Sequence, residues 1–125
     1  MKGLDEARLN KIERGALDEF CKRVLAIFNG RIMLIELYGS RARGERHWQS
    51  DVDVLVVVRK RTRKFDEKLI DIEMELDEKF NYAGHISSTP MSLVEYSWMV
   101  NRQWPFILTV KEDGIELWRN PELKI

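Results

Sequence analysis

Two aspartates at alternate positions, Asp51 and Asp53, open the apolar run Val54-Leu55-Val56-Val57-Val58. Side chains two apart on a strand share a face, and at the usual rise their roots lie roughly 6.6 Å apart. Two anions so placed beside an apolar stretch repel each other, and a divalent cation would relieve that repulsion. Magnesium suits such a pair, because it takes one or two carboxylates and fills its shell with phosphate and water. Asp51 and Asp53 are therefore the candidate metal ligands and catalytic residues. The pair also fits a polar turn ahead of a strand, formed with Ser50.

A second candidate lies just upstream. The apolar run Leu34–Tyr38 stops at Gly39-Ser40, and Arg41 and Arg43 follow at once. Glycine lets a ligand approach the backbone closely. Ser40 could cap a short helix and offer its hydroxyl and the following amides to a phosphate. Arg41 and Arg43 add positive charge there, as phosphate contacts or as solvated loop charges. No Gly-Lys-Ser/Thr follows, which excludes a P-loop. No glycine and distal glutamate stand at loop spacing after Asp51, which excludes an EF-hand.

Together, Gly39-Ser40-x-Ala42-x-Gly44 and Ser50-Asp51-x-Asp53 resemble the signature of the DNA polymerase beta-like nucleotidyltransferase superfamily, and the short chain resembles the minimal nucleotidyltransferases of prokaryotes. The resemblance runs from about Arg31 onward. It implies an α+β fold in which helices pack against a small mixed β-sheet. It implies that Gly39, Ser40, Arg41, Arg43 and Ser50 bind the phosphates of ATP or another nucleoside triphosphate. Asp51 and Asp53 would hold Mg2+, with a second metal ion possible. It further implies transfer of a nucleoside monophosphate, AMP by expectation, to a hydroxyl on a HEPN-type partner protein, a tyrosine in the related toxin–antitoxin pairs.

The chain departs from the family at one place. A third carboxylate is expected from a later strand, read here as residues 83–89, where His85, Ser87 and Ser88 stand instead of an acid. Glu36 is a substitute if its side chain faces the same site. The departure supports a second reading, in which a catalytically degenerate module binds nucleotide and neutralises its partner by contact alone.

These motifs need a scaffold, and the sequence supplies one. Its 125 residues suit one domain. An apolar fraction of 44% fits a globular fold, and 34% charged residues cancel to a net charge of zero. A general nucleic-acid binder is more often basic, so nucleic acid is not the expected partner. Apolar periodicity predicts a helix over about 4–28, with Leu9, Ile12, Ala16, Phe20, Val24 and Ile27 on one stripe and Gly30 closing it. Residues 31–38 and 52–58 read as strands, the second central and covered on both sides. A helix over 65–80 buries Phe65, Leu69, Ile72, Leu76 and Phe80. Pro90 is expected to stop the third strand. Ser92 caps a short helix, Pro105 starts another, and residues 115–118 form a last strand.

Other features have structural readings. The basic run Arg59-Lys60-Arg61-Thr62-Arg63-Lys64 follows the far end of the second strand, roughly 20 Å from Asp51 along the chain, and reads as a solvated connection. His47 and Trp48 could stack on a base or plug the core. Tyr96, Trp98, Trp104 and Phe106 read mainly as core. Cys21, the one cysteine, reads as a small packing residue. With no signal peptide or membrane-length run in view, a cytoplasmic location is expected. A homo-oligomer is possible.

Overall fold

The computed structural model describes residue 7, residues 9–44 and residues 51–125. Ser50, His47 and Trp48 lie outside the described residues, as does the start of the expected first helix. That helix, α1, spans Lys11–Phe28. Asn10 starts it with a capping box: its side chain accepts from the Glu13 amide, and the Glu13 carboxylate accepts from the Asn10 amide. Its buried face carries Ala16, Leu17, Phe20, Val24 and Phe28. Ile12 and Ile27, expected on that stripe, are exposed instead. The chain satisfies helical spacing on two adjacent stripes, and the larger Phe28 takes the inward one.

Strands β1 (Ile32–Tyr38) and β2 (Val52–Val58) form an antiparallel pair with Tyr38 opposite Asp53. Helix α2 (Arg63–Lys79), capped by Thr62, crosses over to β3 (Ile86–Ser92), which lies parallel to β2. Helices α3 (Leu93–Asn101) and α4 (Pro105–Asp113) precede β4 (Ile115–Arg119), antiparallel to β1. The sheet order is β3-β2-β1-β4, so the expected α+β architecture with a small mixed sheet is what the chain adopts. Pro90 does not stop β3 but lies within it, opposite Val56. β3 is an edge strand, where a missing N–H can face away from the ladder.

Each strand alternates its side chains between two faces. One face carries Ile35, Leu37, Val54, Val56 and Ile86 into a core shared with Phe20, Val24, Phe65 and Leu69 of α1 and α2. The other carries Leu34, Leu55, Val57 and Met91 against Tyr96, Ile107 and Val110 of α3 and α4. This two-sided cover explains the near-continuous apolar sequence of β2. Cys21 packs beside the first core, and burial pushes its thiol up to about 12. Tyr96 is core as expected, but Phe106 is 37% exposed, and Trp98 and Trp104 are 40% and 44% exposed. The two indole rings meet at a 50° tilt with centroids 5.1 Å apart, and the Arg102 guanidinium lies over Trp98.

Candidate functional site

The site forms where β1 ends and β2 begins. Gly39 has φ of +81°, a left-handed conformation that glycine tolerates. A Cβ built on it would stand 2.6 Å from Asp53 Oδ2. The carboxylate of one motif therefore rests on the bare backbone of the other, and the cross-strand register of Tyr38 with Asp53 makes it so. The chain then turns tightly: the Arg43 amide donates to the Gly39 carbonyl and the Gly44 amide to the Arg41 carbonyl. Ala42 is fully buried and anchors this turn to the core.

Asp53 is half-buried. Burial raises its pKa above the ordinary carboxylate value, the nearby Asp51 raises it further, and Arg43 opposes both. Asp51 is exposed. The two aspartates thus sense each other across a partly dry surface, as the alternate spacing requires. Two carboxylates and a turn without a Cβ suit a hard cation that shares its shell with phosphate. Among the described residues there is no cluster of three His, Cys, Asp or Glu arranged for a metal ion.

The remaining candidates separate. Arg43 stays near Asp53, with its guanidinium 3.8 Å from Asp113. Arg41 points the other way: it is 5% exposed and ion-paired to Glu13 at 2.7 Å. Ser87 is the β3 residue in register with Asp53, so the neighbouring-strand position on the same sheet face holds a hydroxyl. Ser88 faces α2, where its amide donates to the Glu73 carboxylate. His85 Nδ1 lies 2.8 Å from Asp77 Oδ2 and belongs to the α2 junction.

Glu36 does share the sheet face of Asp53, being opposite Leu55, two residues along β2. Its surroundings are those of β4 and α4. Glu116 stands directly opposite, and a Cβ on Gly114 would meet Glu36 Oε1 at 2.5 Å. Burial first, then Glu116, pushes its pKa up to about 7. Glu36 is therefore not grouped with Asp51 and Asp53.

Sequence reasoning missed Glu13. It closes the α1 capping box, pairs with Arg41, and fills the space beside Gly84, where a Cβ would meet its Cγ at 2.6 Å. It joins three segments behind the Gly39–Gly44 turn. The Asn10-x-x-Glu13 capping pattern was its visible signal. The aromatic pair Tyr38 and Phe106 was also not foreseen. Their rings meet edge-on at 5.5 Å, and the Tyr38 hydroxyl lies 2.9 Å from Thr89 Oγ1.

Comparison with known proteins agrees with the fold. Among the solved structures that share the fold at low sequence identity are three toxin–antitoxin chains. A mutant of the toxin–antitoxin MntA–HpeT matches at 18% identity with TM-score 0.53, over 91% of this chain and 76% of that one. A toxin–antitoxin with AMP-PNP matches at 20% identity with TM-score 0.52, over 83% and 74%. A second MntA–HpeT mutant matches at 18% identity with TM-score 0.50, over 83% and 74%. No curated protein matches the chain by sequence. The family profile for the nucleotidyltransferase domain matches residues 14–114, which includes the Gly39 turn, both aspartates and every strand but β4. The chain belongs to the nucleotidyltransferase domain family.

Proposed function

We propose that this chain is a minimal nucleotidyltransferase that transfers AMP from ATP to a hydroxyl on a HEPN-type partner protein, as the antitoxin of a toxin–antitoxin pair. The observation that carries the reading is the contact of Asp53 with the Cβ-less Gly39. It brings the aspartate pair onto the turn that would bind phosphate. The turn amides and the Ser40 hydroxyl would hold the triphosphate, and Arg43 would face its negative charge. Asp51 and Asp53 would hold Mg2+, which supplies charge neutralisation for phosphates and leaving pyrophosphate. Arg41 keeps the turn in place through Glu13 and does not reach toward phosphate. The acceptor oxygen would bond to the α-phosphorus as the bond to the β-phosphate oxygen breaks, pyrophosphate leaving and the hydroxyl proton passing to water.

The fold neighbours named above as toxin–antitoxin complexes, one of them with AMP-PNP, support this choice of partner and nucleotide. The test is incubation with α-labelled ATP, magnesium and a HEPN protein encoded beside this chain. Label should pass to the partner and be lost with Asp53→Ala. Undiminished labelling by that variant refutes the assignment.

One observation favours a second reading. Ser87 occupies the place beside Asp53 where a third carboxylate would help hold metal and take the acceptor's proton. A serine hydroxyl does neither well, and a contact-only binding module would not need it. If the Asp51→Asn, Asp53→Asn double variant neutralises the partner as fully as the wild type, that second reading holds.

A further inference from the structure

Helix α2 carries its charge against its own dipole. From Arg59 to Lys68 the chain has six cations, Arg59, Lys60, Arg61, Arg63, Lys64 and Lys68, against Asp66 and Glu67. From Leu69 to Tyr82 it has five anions, Asp71, Glu73, Glu75, Asp77 and Glu78, against Lys79. A helix is stabilised by acids at its start and bases at its end, so this order is unfavourable for a helix standing alone. Some of the charge is used internally: Arg61 binds Asp66, Arg63 binds Glu67, and Glu75 binds Arg23 of α1. Lys60, Lys64 and Lys68 have no ion-pair partner among the described residues.

The surface follows the charge. The basic end opens into a cleft of about 710 Å³ whose walls include Arg31, Lys60, Arg63, Lys64 and Lys68, with Glu67 and Asp71 as the acids. The acidic end forms a groove of about 340 Å³ lined by Asp71, Met74, Glu75, Asp77, Glu78 and Tyr82. Between and beside them lie apolar side chains open to solvent: Ile70 is 53% exposed and Met74 65%. Phe65, Leu69, Ile72 and Leu76 hold the opposite side of the helix in the core. The outer surface of α2 is therefore positive at one end, apolar in the middle and negative at the other.

We infer that this surface binds a second copy of the chain, with the two α2 helices antiparallel about a two-fold axis beside Ile70. Only an antiparallel arrangement places both basic ends against both acidic ends at once. It also opposes the two helix dipoles and buries Ile70 and Met74 at the centre. A two-fold interface uses the same patch on both copies, and α2 carries both halves of its complement. Lys64 and Glu78 stand about 21 Å apart along the helix, so across the axis Lys64 of each copy approaches Glu78 of the other. Lys60 approaches the Glu78 turn in the same way. The 17-residue helix is about 25 Å long, so the interface is small and charge contributes much of its strength. Asp53 lies on the other face of the sheet, toward α3 and α4, and dimerisation leaves it open. The inference does not depend on the nucleotide site.

Sedimentation equilibrium at about 50 mM and about 500 mM NaCl tests it. The wild type should dimerise at low salt, with a dissociation constant at least about tenfold weaker at high salt as screening rises. Lys60→Glu with Lys64→Glu should be monomeric, as should Asp71→Lys with Glu78→Lys. An equimolar mixture of those two variants should associate again, because each supplies the charge the other has lost. Ile70→Cys should form an oxidised dimer across the axis, a readout that leaves the charges intact. A wild type that stays monomeric at about 100 μM in low salt overturns the inference. So does continued growth beyond a dimer, the mark of head-to-tail contact. Binding of poly(U) by a chain that remains monomeric would assign the basic cleft to nucleic acid instead.

Discussion

Replacing Glu36 with glutamine should change the pH dependence of stability in one direction only. Glu36 is 9% exposed, opposite Glu116 of β4, with Tyr96 of α3, Lys111 of α4 and Arg119 of β4 around it. Burial and Glu116 push its pKa from 4.5 to about 7, against Lys111 and Arg119. Between those values the folded chain keeps a proton that the unfolded chain has released. Stability from this residue is full below about 4.5, declines as pH rises, and is lost once pH passes about 7. At about 1.4 kcal/mol per unit, the loss is at most about 3 kcal/mol. Glutamine carries no charge at any of these pH values, so Glu36→Gln should match the wild type near pH 4.5 and exceed it by about 2–3 kcal/mol near pH 8. Urea denaturation at pH 5, 6, 7 and 8 measures the difference directly. If the gap between the two proteins changes by less than about 0.5 kcal/mol across that range, Glu36 ionises at its ordinary pKa and the reasoning fails.

Three further substitutions probe the site and its support. Arg41→Ala leaves Glu13 charged and buried without its partner, and should cost about 3–5 kcal/mol in chemical denaturation. A cost under about 1 kcal/mol would show that the pair is not acting as a buried one. Gly39→Ala forces a side chain into the left-handed region and toward Asp53 Oδ2. It should cost about 1–2 kcal/mol and, on the proposed function, abolish nucleotide binding measured by calorimetry. Ser87→Asp adds a carboxylate in register with Asp53 and should tighten magnesium or manganese binding by of order tenfold. Unchanged affinity would place Ser87 outside the metal's reach.

The parts of the fold that could be read from residues were those where local chemistry and burial agree. β2 was legible because both its faces are covered, leaving an unbroken apolar run. Ser92, Pro105 and the inward stripe of α2 were legible because caps, fixed φ angles and helical spacing act locally. The inward stripe of α1 was misplaced because Ile12 and Ile27 also satisfy helical spacing, and only packing against the sheet decides between neighbouring stripes. Pro90 was misread because edge position is set by the whole sheet and not by the residue.

At the site, the two motifs were visible as spacings, but their contact depends on the Tyr38–Asp53 register. Arg41 looked like Arg43 in sequence. Their different directions follow from Glu13, some thirty positions upstream, which no local pattern connects to the turn. Glu36 shows the same limit: alternation gives its face, but the pairing of β1 with β4 decides its neighbours. No helix among the described residues is long and apolar enough to cross a membrane.

The central claim is that Asp51 and Asp53 together with the Gly39-Ser40 turn make one metal–nucleotide site. The most direct measurement is calorimetric titration of ATP in magnesium and in EDTA, for the wild type and for the Asp51→Asn, Asp53→Asn variant. The account predicts ATP binding by the wild type that magnesium strengthens, and no magnesium effect in the variant. ATP binding that is equal with and without magnesium, and unchanged in the variant, would contradict it.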